Sequence, residues 1–119
     1  MTASPSACLN LDRAVEYLGD MQGVLSLLGT LRQSLQDELP QIQSRLDAGD
    51  LPGVHQLLHQ IKGFAPVFCT DALVAEVVRV EGLSKSAELQ TVRAAYAHLG
   101  PQLQQLLAEV HHCCLTQPR

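Results

Sequence analysis

The chain holds 119 residues with a formal net charge of −4, 46% apolar residues, two Phe, two Tyr and no Trp. That length suits one domain with an aliphatic core of the kind helical bundles use, and the acidic balance excludes the basic face of a nucleic-acid binder. No run of about 18 apolar residues could cross a membrane, and the N-terminus lacks the charged and apolar regions of a signal peptide, so a cytoplasmic location is expected.

Residues 1–10 are a polar, Ser/Pro-containing lead-in and read as a loose tail. A short helix is expected over 12–18, closed by Gly19, with Asp20 capping the next one. From Met21 the positions Val24, Leu28, Leu31, Leu35, Leu39, Ile42 and Leu46 recur at steps of three and four, which predicts a helix to Ala48 with a bend over 36–40 caused by Pro40. Gly49-Asp50 breaks it, and Asp50 caps a third helix that tolerates Pro52 in its first turn. This helix turns Val54, Leu57, Leu58, Ile61, Phe64, Ala65 and Phe68 inward and leaves His55, His59, Lys62 and Pro66 on the opposite stripe. Asp71 is placed to cap a helix over 72–83, with Leu73, Val74, Val77, Val78 and Val80 on its buried side. Ser86 then starts the last helix. There Leu89, Val92, Tyr96, Leu99, Leu103, Leu106 and Val110 keep one phase through Gly100-Pro101, so a kinked but continuous helix is expected.

The residues from 111 onward read as a fraying end. The prediction is all-α: an antiparallel four-helix bundle with a short extra N-terminal helix, spanning 11–115 between tails at 1–10 and 116–119. Cys8, Cys69, Cys113 and Cys114 contain no C-x-x-C and read as buried small groups or surface thiols rather than a disulfide framework.

The residues best placed for chemistry are His59-Gln60-Ile61-Lys62-Gly63. They set an imidazole, a cation one turn on and a glycine at i+4 along one stripe of a helix. A solvated surface histidine is the common reading of such a residue. Against it stand Lys62, which can attract a phosphate, and Gly63, a residue costly in a helix, where a side chain is expected to crowd the ring. His55, one turn earlier, together with Gln56, Gln60 and Pro66, forms the surface expected to touch a partner. His111-His112-Cys113-Cys114 has the composition of a metal cluster, but adjacent helical residues point about 100° apart and no i,i+4 ligand pair occurs there. No metal site is expected, and His98 reads as a solvated-face residue.

The stretch Leu58-His59-Gln60-Ile61-Lys62-Gly63-Phe64-Ala65 resembles the H-x-x-K-G signature of the histidine-containing phosphotransfer domains of bacterial phosphorelays. The similarity extends over most of the chain, including Leu11-Asp12-Arg13-Ala14, Leu18-Gly19-Asp20, Glu38-Leu39-Pro40, Gly49-Asp50 and Val80-Glu81. The resemblance implies that His59 is a phosphoacceptor, taking a phosphoryl group from an aspartyl phosphate on one receiver domain and passing it to the aspartate of a response regulator. Lys62 would be its electrostatic partner and Gly63 its access residue. It further implies a monomeric phosphocarrier rather than an enzyme, without a nucleotide site or cofactor of its own, since Mg2+ comes from the receiver. The parent would be a free-standing protein or a hybrid sensor kinase, with this module at the latter's cytoplasmic end. The alternative is a helical adaptor that sequesters a receiver or kinase without being phosphorylated. Two positions depart from the family pattern. Cys69 stands where a Gly is common, and Pro66 lacks the N–H that would bond the Lys62 carbonyl, so the helix is expected to bend or begin to end just past the site.

Overall fold

A computed structural model describes residues 8–116. Five helices follow one another: α1 (Leu11–Leu18), α2 (Met21–Ala48), α3 (Leu51–Phe68), α4 (Asp71–Ser86) and α5 (Leu89–Thr116). Every connection is two residues long, and so short a link forces consecutive helices to run antiparallel. The four long helices close into a ring in which α2 and α4 each pack on both α3 and α5, while α1 lies against α2 and α3. The result is a rod 44 Å long and 25 Å across, whose length matches the about 42 Å rise of a 28-residue helix such as α2. It is the predicted antiparallel four-helix bundle with a short extra N-terminal helix.

Local chemistry explains the breaks. Asn10, Asp20 and Asp50 each cap a helix by accepting the backbone N–H three residues on, from Arg13, Gly23 and Gly53. α1 and α2 end on Gly19 and Gly49, whose φ values of 94° and 74° lie in the left-handed region that glycine enters without strain. Arg93 of α5 donates from Nη2 to the carbonyl of Leu46 at 2.9 Å, satisfying an orphan acceptor at the end of α2. All seven apolar positions read along α2 are buried. In α5 the phase does run unbroken through Gly100-Pro101.

Several boundaries differ from expectation. Thr70, not Asp71, caps α4; its side chain accepts from Leu73 N–H, and Asp71 sits in the first turn, paired with Arg13. α4 runs three residues further, to Ser86, so that residue ends a helix instead of starting one. α5 begins at Leu89 after the extended Ala87. Residues 111–116 continue α5, with Cys113 buried one turn after Val110, so the described part of the expected fraying end is ordered helix. Val78 is 44% exposed and Val74 and Phe64 are only partly buried; Glu81 and Ser84 take the inward positions of α4 instead.

The expected N-terminal tail ends earlier. Cys8 and Leu9 are buried, and Leu9 forms an antiparallel bridge with Cys69. Asn10 donates to the Phe68 carbonyl at 2.7 Å and Thr70 to that of Cys8 at 2.8 Å. The N–H groups of Cys8 and Leu9 both reach Glu109 Oε1, at 3.1 and 2.9 Å. Residues 8–10 are thus a strap joining the α3–α4 corner to α5. The rest of that segment, 1–7, and residues 117–119 of the C-terminal tail lie outside the described residues.

The strap also accounts for Cys69. This residue leaves α3 in an extended conformation, φ −109°, which needs no glycine. The early end expected past the site does not occur: α3 continues as helix through Pro66 to Phe68, and the Cys69 N–H still bonds the Ala65 carbonyl. The Cys69 carbonyl accepts from Arg13 Nη1 at 3.1 Å. Burial pushes the thiol of Cys69 up to about 12 and that of Cys8 to about 11, each raised further by neighbouring negative charge, so both behave as small apolar groups.

Glu109→Ala removes the carboxylate shared by the Cys8 and Leu9 amides. The expected loss is about 1.5–3 kcal/mol, the range for hydrogen bonds to charged groups, measured as a lower urea midpoint at unchanged slope.

Candidate functional site

The stripe on α3 opposite its buried face contains the site. His59, Gln60, Gly63 and Pro66 are exposed, whereas His55 and Lys62 lean toward α4 and are partly covered. What draws them there is Glu81, one helix away. Its side chain is 3% exposed, and Oε2 lies 3.1 Å from His59 Nδ1 and 3.1 Å from His55 Nε2, with Lys62 Nζ 3.6 Å from Oε1. Three side chains from successive turns of α3 therefore converge on one carboxylate. α4 presents it because Glu81 follows Val77 and precedes Ser84 on the inward face, and Ser84 Oγ donates to the Glu81 carbonyl at 2.6 Å.

Burial by itself would raise the Glu81 carboxyl. The hydrogen bond from His59 and the charges of Lys62, Lys85 and His55 outweigh it and hold the group below the usual glutamate range. An ionised carboxylate only accepts, so the nitrogen facing it must donate. His59 is thereby set as the Nδ1–H tautomer, and the lone pair is left on Nε2. With 66% of the side chain exposed, the ring stands in the open on a buried anchor. The His55 ring stacks beside it, centroids 5.9 Å apart. His55 Nε2 is itself buried and near the carboxylate, but out of line for a hydrogen bond.

Gly63 differs from expectation. A Cβ built there meets no atom within 4 Å, so a small side chain would not crowd His59 within the chain. The space it leaves opens outward. Gln56 and Gln60 line a 360 Å³ cleft between α2 and α3 together with Glu38 and Arg45. Burial, reinforced by Asp37, raises the Glu38 carboxyl. The expected surface residues thus divide into an exposed edge and an α4-facing edge.

Glu81 is the residue that reading the stripe on α3 could not supply. Its signal in the sequence is a carboxylate in phase with the inward positions of α4, where a charge is tolerated only if partnered. The group His55–His59–Glu81 also gathers three metal-capable donors. Such a set was not visible in the sequence because the carboxylate lies 22 residues from His59. In the cluster at 111–114, Cys113 points inward and His111 and His112 outward, in keeping with their angular separation.

A helical bundle with an exposed histidine braced from below by a buried acid describes a class of proteins before it describes a member. Residues 26–113 match the Hpt domain, and the chain belongs to that family. Hpt domains are phosphocarriers that work with receiver domains in histidine phosphotransfer. No curated protein and no solved structure matches the chain.

Since the folded carboxyl of Glu81 is more acidic than its unfolded counterpart, the stability it contributes is complete above the unfolded glutamate range, near pH 4.3, and is lost as pH falls through the lower folded value. Glu81→Gln lacks that contribution. Urea unfolding should show the largest gap between wild type and variant at pH 6 and a narrowing gap toward pH 3, the two curves approaching as wild-type Glu81 takes up its proton.

Proposed function

We propose that the chain is a histidine phosphocarrier of a two-component phosphorelay, with His59 as its acceptor. The observation that carries this reading is the exposed His59 ring held through Nδ1 by buried Glu81. In the transfer, the Nε2 lone pair attacks the phosphorus of a receiver's aspartyl phosphate in line. The P–N bond forms as the P–O bond to the aspartate breaks, and the aspartate leaves as a carboxylate. The reverse reaction on the aspartate of a response regulator returns His59 to its starting state. Glu81 stabilises the positive charge that the ring gains as Nε2 bonds to phosphorus, in the manner of a buried carboxylate behind a catalytic imidazole. Lys62 is a full positive charge one turn away, suited to the transferring phosphoryl oxygens. Mg2+ and the acidic pocket belong to the receiver. Gln56, Gln60, Gly63 and Pro66 form the exposed edge against which the receiver docks, with His55 at its margin.

The carrier works as a monomer in the cytoplasm. The same chemistry serves a free-standing protein and a module of a hybrid sensor kinase.

Incubation with a phosphorylated receiver should place acid-labile label on the chain, and His59→Ala should abolish it. Label retained by His59→Ala overturns the assignment. A chain that binds a receiver yet never takes label is an adaptor instead.

Gly63→Ala separates access from folding. Ala is favoured over Gly by about 1 kcal/mol within a helix, and the added methyl meets nothing in the chain, so the melting temperature should rise. Transfer from a receiver should fall, because the methyl occupies the space the partner enters. Unchanged transfer removes Gly63 from the docking surface.

A further inference from the structure

The described residues place three metal-capable donors at one point, two of them an i,i+4 pair on α3 and the third on α4. We propose that His55, His59 and Glu81 bind a divalent transition ion of the zinc class, and that the ion withdraws His59 from phosphoryl transfer. The second half rests on the reading of His59 as the acceptor; the first does not.

Distances carry the site. Glu81 Oε2 lies 3.1 Å from both His55 Nε2 and His59 Nδ1, and the three donor atoms fall within 4.8 Å of one another. Tetrahedral coordination with bonds of about 2.0–2.1 Å sets neighbouring donors about 3.3 Å apart. Two edges of the coordination polyhedron are therefore already near length, and rotation of the exposed His59 ring brings the third toward it. His55 Nε2 is, moreover, a buried nitrogen that makes no hydrogen bond although it lies 3.1 Å from Glu81 Oε2. A metal–nitrogen bond would satisfy it.

Chemistry narrows the ion. Two imidazoles and one carboxylate suit zinc and its neighbours rather than Ca2+ or Mg2+, which take oxygen donors. Lys62 Nζ, 3.6 Å from Oε1, braces the second oxygen of Glu81 and leaves Oε2 as the single carboxylate donor. Lys62 and Lys85 also set positive charge near the cation, which weakens its binding.

Occupancy acts through the tautomer. Without metal, Nδ1 carries the proton and Nε2 the lone pair. To bind the ion, Nδ1 must give up its proton, and the neutral ring then carries one on Nε2. The nitrogen that would attack phosphorus has lost its lone pair, so no P–N bond can form, although the ring remains exposed. Ion binding and phosphorylation thus compete for one imidazole through opposite nitrogens.

The test titrates the full chain with ZnCl2 and follows the imidazole nitrogens by NMR. One equivalent should perturb His55 and His59 and convert His59 from the Nδ1–H to the Nε2–H form, and His55→Ala should weaken binding at least about tenfold. Perturbation confined to His98, His111 and His112, or the absence of saturation, overturns the site. Labelling is then measured with phosphoramidate, which donates its phosphoryl group to Nε2 and leaves as ammonia without a receiver or its metal. Saturating zinc should slow labelling at least tenfold, with recovery on chelation. Zinc bound at the three residues with labelling unchanged overturns the competition. Absence of label at His59 without zinc, from phosphoramidate and from a phosphorylated receiver alike, overturns His59 as acceptor, and the titration still decides the metal site.

Discussion

The carboxylate of Glu81 is the fixed point around which the functional face is organised. A glutamate in the body of a bundle is costly unless its charge is met, and here α3 meets it three times, through His55, His59 and Lys62. The cost of burying the acid and the orientation of the imidazole are one interaction seen from two sides. Replacing the acid by an apolar residue would fill the same inward position of α4 and leave His59 an ordinary surface rotor.

The rest of the bundle holds those two helices in register. α3 and α4 are joined by only Cys69 and Thr70, and both are pinned: Cys69 by its bridge to Leu9 and by Arg13, Thr70 by the Cys8 carbonyl. Glu81 lies two to three turns from that corner, where small changes in helix crossing would be magnified. A rigid corner keeps carboxylate and imidazole at hydrogen-bonding distance while the ring itself stays free to meet a partner.

Much of this was legible in advance because helical periodicity is a strong signal. α2 reads clearly, since seven apolar residues from Val24 to Leu46 share one phase and all seven are buried, whereas Met21 and Leu27 lie off that phase and are exposed. The motif at His59 was equally clear. What failed were choices between near-equal local signals. Thr70 and Asp71 are both competent caps, and only the extended backbone at Cys69-Thr70, imposed by the strap, selects the first. Val74 and Val78 read as inward, but the buried stripe of α4 runs through Leu73, Val77, Val80, Glu81 and Ser84, and Val78 lies about 120° round the helix from its centre, facing solvent. The strap was invisible because Cys8, Leu9 and Asn10 are too few to show a period, and their partners lie far away in the chain. The role of Glu81 needed two helices at once. Its phase was readable; its partners were not.

That strap has a consequence for the order in which the molecule assembles. Four helices linked by two-residue turns form through contacts between chain neighbours, which makes for fast folding. The amides of Cys8 and Leu9 instead meet Glu109 across 101 and 100 residues. Closing so long a loop costs entropy that no local contact offsets, so this pairing sets after the helices have docked. Amide protons of Cys8 and Leu9 would then exchange ahead of those in the bundle, and each opening would release the corner at the end of the histidine helix.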